Sequence, residues 1–152
     1  MFSNLMVLAE DAVFFRNTAL GCMAAACAVT DLCCGKVFNL VTVPGLFFGI
    51  LLCAGSCGAE GILNIMCCVA FTIVFLYPFF RAGGLGAGDI KLLAAVSAFL
   101  EPEEYLLCFG CAFVLGAGIG LLRLLRSGGR MHTVHFAVPV AASVLLHLAG
   151  VY

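Results

Sequence analysis

Hydrophobic positions in this chain fall in long blocks and do not alternate. Residues 12–30 form the first, interrupted only by Arg16 near one end, where a long cationic side chain can reach back to the interface. Residues 37–59 carry no charge and read as the second block, and residues 61–80, rich in Ile, Val, Phe and Leu, as the third. Residues 105–122 and 131–152 complete the clear set. Each approaches the roughly 20 apolar residues that a helix needs to cross a bilayer. A weaker stretch, residues 88–100, is shorter and opens with Asp89 and Lys91. Counting it gives six crossings, and omitting it gives five.

Charge decides between the two counts. With six crossings the loops near Lys36, near Arg81 and Lys91, and near Arg123, Arg126 and Arg130 all fall on one side. Six of the seven basic residues then share a face, which the positive-inside rule makes cytoplasmic. Glu10, Asp11, Glu60, Glu101, Glu103 and Glu104 fall on the other. Five crossings destroy this separation. The expectation is an all-α membrane protein with six transmembrane helices, both termini outside, in a single domain over residues 1–152.

Composition agrees with that picture and narrows it. The 152 residues are 64% hydrophobic and 10% charged, with a mean hydropathy of +1.22. A soluble domain is about 25% charged. The net charge of -1 offers no broad basic surface, so no nucleic-acid partner is expected. Most of the ten cysteines lie inside apolar runs, where cysteine packs as a small hydrophobe. Cys33-Cys34 and Cys108-Phe-Gly-Cys111 lack a second pair at zinc-site spacing, and no metal or other cofactor is expected. Glu10 and Asp11 stand where a signal peptide would carry basic residues.

Two acids break the sorting. Asp31 ends the first crossing and Asp89 begins the fourth, both on the basic side. Two crossings separate them, an even number, so they return to the same face and can meet. Ionisable residues at such a boundary are functional candidates. The plainer reading is a pair of boundary ion pairs, Asp31 with Lys36 and Asp89 with Lys91, of the weak exposed kind. Asp89, however, follows Gly83-Gly84-Leu85-Gly86-Ala87-Gly88. Such a run serves equally as a loop or as a place where backbone and carboxylate approach a substrate strand.

Gly86-Ala87-Gly88-Asp89-Ile90-Lys91 resembles the Gly-x-Gly-Asp-x-Lys signature of the type IV prepilin peptidases, which are membrane aspartic proteases of the GxGD type. Asp31 followed by Asn39, with Val41-Thr42-Val43-Pro44 beyond, is similar to the family's first motif. His135-Phe136-Ala137-Val138-Pro139 resembles a weaker proline-containing motif at the last helix. Phe38 stands where the family usually has proline, which bears on the turn before Asn39. Few residues precede the first helix, so the resemblance is to the short, peptidase-only form of tight-adherence (Flp) pilus and preflagellin systems. No N-terminal methyltransferase domain is expected.

The resemblance implies Asp31 and Asp89 as the catalytic pair, with Gly86, Gly88, Lys91, Lys36 and Asn39 binding substrate or supporting the loops. It implies a prepilin-like partner whose basic leader and hydrophobic helix are cut at their junction, at the cytoplasmic face of the inner membrane. Two close carboxylates share a proton near neutral pH, one activating water and the other protonating the scissile group. Two other classes remain open. One is a non-catalytic membrane subunit. The other is a transporter that binds a cation at Asp31 and Asp89, with His132, His135 and His147 as a proton relay.

Overall fold

The computed structural model describes residues 2–126 and 136–151. Five helices follow one another: α1 (Phe2–Cys34), α2 (Asn39–Arg81), α3 (Ala87–Val96), α4 (Pro102–Arg126) and α5 (Ala137–Leu148). Among the described residues there is no strand. His132, His135 and Arg130 lie outside the described residues.

Helix α2 changes direction. Its backbone leaves helical geometry at Gly58, with φ 61° and ψ -144°, a conformation that a side chain would oppose. A straight helix of 43 residues would be about 65 Å long. Yet Arg81 is joined to Ala87 by a short loop that spans about 20 Å at most. The start of α2 also lies at the start of α3, because Lys91 Nζ donates a hydrogen bond to Asn39 Oδ1. Both ends of α2 therefore meet α3 at one end of the bundle, and the chain folds back at Gly58. The two arms of α2 and the other four helices make six helical segments among the described residues.

Three segments are long and apolar enough to cross a membrane: Asp11–Cys34, Gly58–Arg81 and Pro102–Leu122. Asn39–Gly55 and Ala137–Leu148 are apolar but shorter. The stretch expected at 88–100 is helical only as Ala87–Val96, ten residues and about 15 Å, half the hydrocarbon thickness. Its apolar continuation forms turns, with Ala98 N–H donating to Ala95 O and Phe99 N–H to Val96 O.

Packing explains why so short a helix is apolar throughout. Every residue from Leu92 to Leu100 is buried, against α2, α1 and α5. The first arm of α2 reaches this segment through Gly49, where a Cβ would stand 2.7 Å from that of Ala98. On α1 the buried positions Leu20, Met23, Ala24, Cys27 and Asp31 recur every three or four residues, on one helix face. The outer faces are apolar as well: Phe14, Leu40, Leu51, Val74, Val114 and Leu125 are all exposed. Water does not favour such a surface, and lipid does.

A few polar ties cross this apolar interior. Thr72 Oγ1 and Tyr105 Oη share a hydrogen bond between α2 and α4. Cys108 Sγ and Ser143 Oγ lie 3.2 Å apart between α4 and α5. At one end of the bundle, Glu104 stands 4.0 Å from Arg16 and 3.9 Å from His147. Helix α5 stops at Leu148, so His147 lies in its last turn and not deep within it.

Candidate active site

Helix α1 carries Asp31 on the face that holds Leu20, Met23, Ala24 and Cys27, and the carboxylate residue is only 6% exposed. The helix closes just beyond it. Gly35, at φ 63°, donates its N–H to Asp31 O at 2.8 Å. Left-handed backbone of this kind is the usual stop for a helix, and glycine adopts it without strain. Lys36 is exposed in the connection that follows.

Asp89 is positioned by a different local device. Gly86 is the N-cap of α3, and Asp89 is the third helical residue. The Gly86 N–H donates to Asp89 Oδ2 at 3.1 Å, while Asp89 N–H donates to Gly86 O at 3.1 Å. A carboxylate here satisfies a helix-terminal N–H and favours the positive end of the helix dipole. Asp89 itself is half-buried.

Two contacts tie these segments together. Val37, in the connection after Asp31, packs on Gly88: a Cβ on Gly88 would stand 3.0 Å from Val37 Cβ. A little further along both segments, Lys91 Nζ donates to Asn39 Oδ1 at 3.0 Å. Asp31, Asn39, Gly86, Gly88, Asp89 and Lys91 are thus carried to one end of the bundle. Arg16 lies back along α1 toward the other end of the bundle, about 22 Å from Asp31 by helix rise. His147, beside Glu104 and near Arg16, belongs to that far end and not to the aspartates.

Sequence reasoning gave no role to two residues here. Val37 reads as one more apolar residue, and only the close approach to Gly88 gives it a role. Thr42 is 2% exposed on α2, and its hydroxyl has no hydrogen-bond partner. Its signal was a polar residue inside an apolar run. Chemically, two carboxylates at one end of an apolar bundle, beside a glycine-bordered helix start, suit proton transfer at the membrane boundary. Among the described residues, no three His, Cys, Asp or Glu side chains gather as a metal site.

A family model described as the type IV leader peptidase family matches residues 18–121. That span holds both aspartates, Asn39, the glycines before Asp89, and Lys91. No curated protein and no solved structure matches the chain.

Proposed function

The chain belongs to the type IV leader peptidase family, and from that premise we propose that Asp31 and Asp89 form the catalytic dyad of a membrane aspartic endopeptidase. The observation that supports it best is the double tie, Val37 on Gly88 and Lys91 to Asn39, between the segments bearing the two acids. Close carboxylates cannot both ionise comfortably, so the pair holds one proton between them. The ionised member takes a proton from water as that water attacks the scissile carbonyl. The protonated member donates to the carbonyl oxygen or to the leaving amine.

The substrate in this reading is a prepilin-like protein cut between a basic leader and a hydrophobic helix. The chain crosses the inner membrane six times with both termini outside, counting α3 and the turns after it as the fourth crossing. The aspartates then face the cytoplasm, where the positive-inside tendency also holds a basic leader. Gly86, Gly88 and Lys36 border the place where such a leader would lie. Asn39 and Lys91 hold that border together.

The reaction itself is the test. Purified protein in a bilayer, given a synthetic substrate of basic leader and apolar helix, should release the leader at a single bond identified by mass spectrometry. An intact substrate in the presence of folded protein would count against peptidase activity and favour the non-catalytic or transporter readings.

A further inference from the structure

At the end of the bundle away from Asp31, α1 around Ala12 to Arg16, the fold-back of α2 and the α3–α4 turn surround a cavity of about 550 Å³. Leu52, Ile65 and Phe99 give it apolar walls, and Arg16, Glu60 and Glu101 bring charge to it. Glu60 and Glu101 are exposed. The Arg16 side chain is 27% exposed; one terminal nitrogen stands 4.0 Å from Glu104, while its Nε is buried without a hydrogen-bond partner. A buried guanidinium N–H calls for an acceptor. Two carboxylates at the rim call for a cation.

A ligand that answers both must hold an anion and a cation a few ångströms apart and carry an apolar part. We propose that this cavity binds the headgroup of an aminophospholipid of the phosphoethanolamine type. The phosphate lies at Arg16, the primary ammonium reaches Glu60 and Glu101, and the first acyl carbons lie along Leu52, Ile65 and Phe99. The levels match. Ile65 is five residues along its helix from Glu60, about 7 Å deeper by helix rise. Arg16 is five residues inside the span that begins at Asp11. The carboxylates therefore lie outermost, with the guanidinium and the apolar wall both deeper, as the ammonium lies outside the phosphate and the first chain carbons in the lipid.

Selectivity follows from the same groups. A choline headgroup has no N–H to donate to the carboxylates. A phosphatidylglycerol headgroup brings net negative charge against Glu60 and Glu101 without a compensating cation. The site lies about 22 Å from Asp31 by helix rise and does not depend on the peptidase reading.

The test loads the full chain into nanodiscs with equal parts of phosphatidylethanolamine, phosphatidylcholine and phosphatidylglycerol, and counts retained lipids by native mass spectrometry. Phosphatidylethanolamine should be retained about fivefold over either of the others, a difference of about 1 kcal/mol. Arg16→Gln should bring the three to parity, and so should Glu60→Gln combined with Glu101→Gln. The rim pair is exposed, so that variant decides the matter if Arg16→Gln does not fold. Equal retention in the unchanged protein, or an unchanged preference in the folded rim variant, overturns the proposal. Displacement of the bound lipid by water-soluble glycerophosphoethanolamine, as readily as by intact lipid, would overturn the lipid as its source.

Discussion

Lys91 Nζ donates a 3.0 Å hydrogen bond to Asn39 Oδ1, joining residues 52 apart in the chain. One lies two residues beyond Asp89 and the other eight beyond Asp31. The bond therefore fixes the start of α2 against the start of α3, at the end of the bundle where both acids lie. Its placement, more than its strength, gives it consequence.

If that bond aligns the two acid-bearing segments, Asn39→Ala and Lys91→Met should each lower kcat/KM for leader cleavage by about tenfold, as for loss of about 1.4 kcal/mol. The two changes share one interaction, so the double variant should lose little more than either single one. Fully additive losses would show that the two residues act separately.

Val37 and Gly88 supply a second, steric check. Gly88→Ala would place a Cβ 3.0 Å from Val37 Cβ, tighter than ordinary contact. Overpacking of this kind costs about 1–3 kcal/mol. The unfolding temperature should fall for Gly88→Ala and recover when Val37→Gly, which removes the facing Cβ, is added. A double variant no more stable than Gly88→Ala would place the strain elsewhere.

The sequence made much of this visible, for reasons that differ from element to element. Hydropathy located most of the helical segments because lipid and core both select apolar residues. The buried face of α1 leading to Asp31, with Leu20, Met23, Ala24 and Cys27, was not marked, because the residues between them are apolar as well. Neither was the end of α3. Ser97 to Leu100 is buried as turns under Gly49, and hydropathy cannot tell a buried turn from a buried helix. Nor does hydropathy mark where α1 begins. Glu10 and Asp11 interrupt the apolar run without interrupting the helix, since glutamate is a good helix former. The end of α5 was not legible either, because the C-terminal stretch reads as apolar to its end, whereas α5 stops at Leu148. The Val37–Gly88 approach depends on two distant segments meeting, which no local pattern announces.

Topology can be read with single cysteines in a cysteine-free background. Positions beside Lys36 and Arg81 should label from the cytoplasm, and positions beside Glu60 and Glu103 from outside. Labelling of the Lys36 and Arg81 loops from opposite faces would remove any shared site for Asp31 and Asp89.

A dyad of carboxylates needs no metal. Leader cleavage should therefore survive strong chelators, measured as an unchanged initial rate after prolonged dialysis. Inactivation that added zinc reverses would contradict an aspartic mechanism.

The most direct measurement compares Asp31→Asn, Asp89→Asn and the double variant, at matched amounts of folded protein and with the leader intact on the substrate. Asparagine keeps volume and polarity but cannot ionise, so insertion and unfolding temperature should change little. Each single variant should lose cleavage by about 10²–10⁴-fold, the contribution of positioned acid–base groups. The double variant should be no worse, because residues acting as one unit are not additive. Glu103→Gln, at the other end of the bundle, should cleave normally. Near-normal cleavage by either Asp31→Asn or Asp89→Asn would contradict the dyad.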